Sequence, residues 1–166
     1  MVWNQNLGHL GTGLPYAIGA QVAVGPERRV VLITSDSTFL FHTTELETAA
    51  RKNLPVVCVV GVDHAWGLEV GAARAIFGPD VDPVETFWGK EVRFDKLAEA
   101  LGCHGEFVEH EQDISPAVER ALASGKPAVV HVVIDPDANA NEAPGWEEFQ
   151  SWYSDTGIWV DQALIT

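Results

Sequence analysis

The sequence predicts an α/β protein built on a doubly wound, mainly parallel sheet with helices on both faces. Three observations predict it. Strand-sized, β-branched apolar runs recur at 30–34, 56–62 and 127–134, as a strand covered on both sides requires. Small-residue or amphipathic helical patterns alternate with them, which calls for crossover connections and parallel pairing. Two of the runs lead into an aspartate, Asp36 and Asp63, so strand, crossover and strand put two carboxylates at one end of the sheet. Ligands of open α/β sheets bind beyond the carboxyl ends of the strands, and that end is the candidate site.

Each element has its own signal. Gly8-His9-Leu10-Gly11-Thr12-Gly13-Leu14-Pro15 is a glycine-rich loop, with no strong strand before it. A helix of small residues follows at 16–23, and Pro15 suits its first turn, where a missing N–H costs nothing. Its Gly and Ala content calls for close packing against a neighbour or a ligand. Gly25-Pro26-Glu27 turns the chain into the first strand. After Ser37 come Thr38-Phe39-Leu40-Phe41, and then Thr44 and Glu47 at capping-box spacing, with Leu46, Ala49 and Ala50 on one apolar face. Asn53-Leu54-Pro55 breaks that helix and opens the second strand. Residues 64–92 carry Gly, Pro and Trp with little periodicity, an active-site type of loop with a short helix. Phe94, Leu97, Ala98 and Leu101 define the next helix, which Gly102 closes, and a short strand follows at 105–108. Val118, Ala121 and Leu122 mark a helix over 115–125, and the last strand is 127–134. Residues 1–137 then form one module, and 138–166 an aromatic, acidic tail with a short helix at 147–153.

Composition bounds the function classes. The chain has 166 residues, enough for one buried core. It carries 24 acidic against 10 basic residues, a net charge of −14, which argues against nucleic acid or an anionic membrane as partner. The apolar runs are far shorter than a membrane span, and the first residues have no secretory pattern. Two cysteines, Cys58 and Cys103, make neither a disulfide framework nor a zinc motif, so a reducing cytoplasm is expected.

A single aspartate after a strand is usually a turn residue or a helix cap. Two at matching strand ends point to a metal–phosphate site, because Mg²⁺ takes oxygen ligands, typically one or two carboxylates plus substrate phosphates. The backbone carbonyl of Ala65 is a further oxygen nearby. Ser37 and Thr38 either offer hydroxyl and N–H groups to a phosphate or simply close a turn. The glycine-rich segment alone is equally a tight turn with close packing. The six histidines have no metal-ligand spacing. His9 and His64 flank the motifs, and the others read as solvated or packing residues. Trp66 reads as a wall of the loop or as core.

Taken together, these residues resemble the C-terminal diphosphate-binding (PP) module of thiamine-diphosphate-dependent enzymes, the acetolactate synthase and 2-oxo-acid decarboxylase superfamily. The resemblance is carried by residues 10–20, by Thr44-Glu45-Leu46-Glu47-Thr48-Ala49 and by Asn53-Leu54-Pro55-Val56-Val57. The family's Gly-Asp-Gly motif and later Asn correspond to Ser35-Asp36-Ser37 and Asp63, 27 positions after Asp36. It implies the thiamine-diphosphate-binding fold, here short of its first strand, with thiamine diphosphate and Mg²⁺ as cofactors. Asp36 and Asp63 would be side-chain metal ligands, and Ala65 would offer its carbonyl. Ser37 and Thr38 would hold the diphosphate, Gly8 would offer its carbonyl to the aminopyrimidine, and Leu10 would support the bent cofactor.

The chemistry implied is that of a lyase or transferase, decarboxylating a 2-oxo acid or joining the product to a second carbonyl. A pyrimidine-binding module on another chain or segment is implied as partner, so the chain is one subunit or a fragment of an oligomer, inactive alone. At two motif positions serine replaces glycine and restricts the backbone, and Asp63 adds a charge. The competing reading is accordingly a non-catalytic, degenerate or regulatory PP module acting as scaffold or subunit. A third is an α/β domain binding another phosphorylated ligand through Mg²⁺.

Overall fold

The computed structural model describes residues 9–78, 80–81 and 85–136. Gly8 and the tail at 138–166, with its expected helix, lie outside the described residues. The chain divides into two compact units, one of residues 1–65 and 88–134 and the other of residues 66–87 and 135–166.

In the first unit four strands form a parallel sheet. They are β1 (Val31–Ser35), β2 (Val57–Val62), β3 (His104–Val108) and β4 (Ala128–Val133), in the order β1-β2-β4-β3. Helices cover both faces. On one face α1 (Gly13–Val24), α2 (Asp36–Leu40), α3 (Glu45–Arg51) and α5 (Phe94–Ala100) set Leu14, Ala17, Phe39, Leu46, Phe94 and Ala98 against Cys58, Val60, Val62 and Val129. On the other, α6 (Ile114–Ala123) sets Ala117 and Ala121 against Val57, Val108, Ala128, Val130 and Val132. Alternate side chains of each strand serve opposite faces, so the runs are apolar throughout. Burying Phe94 alone is worth about 1.5–3 kcal/mol. The expected doubly wound architecture is observed.

Local chemistry explains the boundaries. Gln21 of α1 is buried with its amide fully used: Nε2 donates to the carbonyls of Gly25 and Arg28, and Oε1 accepts from the Val30 N–H. That one side chain fixes the turn into β1. Close packing along α1 holds at Gly13, where an added Cβ would sit 3.1 Å from Leu32, but not at Gly19, where no described residue comes within 4 Å.

Two further expectations are corrected. Thr44 makes no side-chain cap. The preceding turn is already helical, and the carbonyls of His42, Thr43 and Thr44 take the N–H groups of Glu45, Leu46 and Glu47. Asp36 opens the short helix α2. In the second unit, α4 (Gly67–Phe77) is a three-turn helix rather than a short one.

Candidate functional site

Register fixes the site. Ser35 at the end of β1 is level with Gly61 of β2, so Asp36 and Asp63 leave neighbouring strands at the same end of the sheet. Asp36 is fully buried. Its Oδ1 accepts from the Ser37 N–H at 2.8 Å and its Oδ2 from the His64 N–H at 2.9 Å. Asp63 is half-buried, and its Oδ1 accepts from the Ala65 N–H at 3.0 Å. The two side chains also hydrogen-bond each other. Burial, then the charge of Asp63, pushes the Asp36 carboxyl up to about 7, while the two N–H donors pull it back.

The other expected residues take these places. Ser37 lies beside Asp36, its Oγ 3.4 Å from that of Ser35. Ser35 has φ −97°, and among the described residues positive φ at non-glycine positions is confined to Asn53, His64 and Glu85. The backbone at Ser35 and Ser37 therefore asks for no glycine. Thr38 is engaged with the glycine-rich loop, its Oγ1 accepting from the Gly11 N–H at 2.7 Å. Leu10 is 42 % exposed in that loop. Ala65 is buried behind Asp63. Among the described residues no group of three or more His, Cys, Asp or Glu side chains could hold a metal, so the side-chain donors here are a pair. Two close carboxylates present oxygen alone, which suits a hard cation better than a soft one.

Beside the pair lies a network that sequence reasoning missed. Arg93 grips the buried Asp95 with two bonds, Nε to Oδ1 at 2.8 Å and Nη2 to Oδ2 at 2.7 Å, and its guanidinium lies 3.7 Å from the centre of the Phe107 ring. Burial alone would raise Asp95, but the Arg93 bonds and charge outweigh it and hold the carboxyl below its usual range. The Phe94 N–H donates to His131 Nδ1 at 3.2 Å, which puts the imidazole proton on Nε2. Burial pushes His131 down to about 4, with Asp95 opposing and Arg93 and His64 assisting. His64 and His131, with ring centres 6.3 Å apart, line a cavity of about 280 Å³ with Arg93 and Phe107. His64 Nδ1 is buried there without a hydrogen-bond partner among the described residues. Opposite charges two positions apart in one short stretch (Arg93, Asp95) were the available signal, but the partners on β3 and β4 needed the sheet.

A match to the family described as thiamine pyrophosphate enzyme, C-terminal TPP binding domain, covers residues 1–132. The chain belongs to this family. As a thiamine pyrophosphate enzyme C-terminal domain, it is 44 % identical over 129 residues to a probable acetolactate synthase of Mycobacterium bovis, covering 78 % of this chain and 23 % of the relative. It is 40 % identical over 135 residues to a 2-hydroxyacyl-CoA lyase of Arabidopsis thaliana, covering 80 % and 23 %. Among solved structures it resembles a thiamine diphosphate-dependent 4-hydroxybenzoylformate decarboxylase of Rhodococcus jostii, with TM-score 0.68, 31 % identity, and coverage of 78 % of this chain and 24 % of that one. The chain thus spans about a quarter of the length of the relatives it matches. Among the described residues no helix is long and apolar enough to cross a membrane.

Proposed function

We propose that this domain binds the diphosphate of thiamine diphosphate through Mg²⁺, as part of a 2-oxo-acid decarboxylase or carboligase of the acetolactate synthase type. The observation that carries the reading is the Asp36–Asp63 pair: one fully buried carboxyl is pressed against another at the sheet end where α/β ligands bind. A hard cation would balance the charge of a pair in which burial, then the charge of Asp63, raises Asp36, so the donor set fits the ion. Asp36 and Asp63 would hold it by their side chains and Ala65 by its carbonyl. Ser37 and Thr38 would face the diphosphate, and Gly8 and Leu10 would support the ring end of the cofactor. When bound, the cofactor supplies a carbon nucleophile and an electron sink for cleaving the bond beside a carbonyl. This chain's residues bind and orient it: the two acids keep their oxygens fixed through the Ser37, His64 and Ala65 N–H groups.

In this reading residues 1–137 are the PP module and 138–166 an appended tail. The pyrimidine-binding module comes from another chain or segment, in a cytoplasmic oligomer. The relatives' length supports a longer working protein.

A titration of thiamine diphosphate into the chain, with and without Mg²⁺, tests the reading. Metal-dependent binding that Asp36→Ala abolishes is expected. Absence of binding, even with a pyrimidine-binding module supplied, would leave the scaffold reading, which the engagement of the Thr38 hydroxyl by Gly11 favours.

A further inference from the structure

The glycine-rich loop and the segment that carries Asp36 are joined at one residue. Gly11 is buried with φ 84°, and both of its backbone polar groups are held by side chains from just beyond Asp36. Its N–H donates to Thr38 Oγ1 at 2.7 Å, and its carbonyl lies 3.0 Å from His42 Nδ1. A carbonyl only accepts, so His42 must carry its proton on Nδ1 to make this bond. A Cβ on Gly11 would stand 2.5 Å from the Phe41 Cβ and 2.6 Å from His42 Nδ1, so the loop backbone lies flush against this segment. Neither bond belongs to a helix or a sheet ladder, and each links residues about thirty positions apart. The two bonds exist to fix the loop relative to α2.

From this geometry we infer that His42 is a positioning residue for the cofactor. With Thr38 it clamps the glycine-rich loop onto the Asp36 segment, so that the ring end and the diphosphate end of thiamine diphosphate meet surfaces already set at the right separation. The inference rests on the proposed cofactor reading. Preorganised surfaces bind more tightly because the ordering cost is met before the ligand arrives. A residue that merely packs would change stability without changing affinity.

The test uses the 166-residue chain, with magnesium–thiamine diphosphate binding by calorimetry and amide exchange at Gly11 as two readouts. His42→Leu is expected to weaken binding about tenfold, the equivalent of one lost hydrogen bond, and to speed exchange at Gly11. His42→Asn retains an N–H donor at similar reach and is expected to recover affinity to within about threefold. Wild-type affinity in His42→Leu, or no recovery in His42→Asn, would overturn the clamp. Should His42→Leu fail to fold, the His42→Asn variant and the Gly11 exchange rate still decide. Failure of the cofactor reading looks different: the wild-type chain would show no metal-dependent binding even with a pyrimidine-binding module supplied, and both ideas would fall together.

Discussion

The carboxyl groups of Asp36 and Asp63 share a hydrogen bond across adjacent strand ends, and burial with that neighbouring charge raises Asp36 to about 7. Two carboxyls therefore crowd each other at the candidate site. Asp63→Asn keeps an oxygen for the Ala65 N–H and gains an N–H₂ donor toward Asp36 while removing one charge. At pH 8 with chelator, above the raised Asp36 value, this variant should be more stable by about 1 kcal/mol. Urea unfolding checks it, and a stability equal to or below wild type would contradict the repulsion. Its Mg²⁺-dependent affinity for thiamine diphosphate should fall, because a neutral amide is a weaker ligand than a carboxylate.

His131 gives the domain an acid limit. It is buried and held neutral, its pKa pushed from the usual 6.5 to about 4 by burial, with Asp95 opposing and Arg93 and His64 assisting. The unfolded chain binds this proton below about 6.5 and the folded chain only below about 4, so between these values the unfolded state holds more protons. Stability contributed by the neutral imidazole is therefore complete above pH 6.5 and is lost as the pH falls toward 4, by on the order of 2–3 kcal/mol. Unfolding free energies at pH 7.0 and 4.5 measure this. His131→Leu should be less stable at pH 7, since it strands the Phe94 N–H, and should show a shallower fall toward pH 4.5. An unchanged slope in that variant would remove His131 as the cause.

Arg93 and Asp95 should be coupled in energy as they are in geometry. Two charge-assisted bonds at 2.7–2.8 Å to a carboxylate that is 2 % exposed contribute about 1.5–3 kcal/mol. The Arg93 side chain is 37 % exposed, so removing Asp95 leaves its charge in contact with water rather than stranded. A double-mutant cycle with Asp95→Ala and Arg93→Met should return a coupling of about 1–2 kcal/mol. A value near zero would reduce the pair to a surface ion pair.

The strands and their shared carboxyl end were legible because a buried parallel strand needs a continuous β-branched run, and such runs stand out at 30–34, 56–62 and 127–134. The pairing of Asp36 with Asp63 was legible for the same reason, since a crossover between parallel strands returns the chain to the same end. Helix α2 was not, because five residues are too few to display a 3.6-residue period. The clamp on Gly11 was also hidden, because its partners lie far along the chain and meet only after the crossover folds. Backbone demands were misplaced as well. Sequence reasoning put them at Ser35 and Ser37, where serine replaces glycine, but the left-handed non-glycine residue beside the aspartate pair is His64 with φ 60°. Side-chain identity alone carries no sign of φ there.

Two glycines that look alike in sequence should respond oppositely to alanine. Gly11 has φ 84° and no room for a methyl group against Phe41 and His42, so Gly11→Ala combines backbone strain with displacement of the clamp. A loss of about 2–4 kcal/mol is expected, with the loop shifted from α2. Gly19 lies inside α1 with helical backbone, and no described residue within 4 Å would meet an added Cβ. Gly19→Ala removes unfolded-state freedom without a clash and should stabilise by about 0.5–1 kcal/mol. Thermal unfolding of both variants beside wild type reads the contrast directly. A destabilised Gly19→Ala chain would mean that this face of α1 packs against another surface under the conditions of the measurement, and its dependence on protein concentration would then identify self-association as the cause.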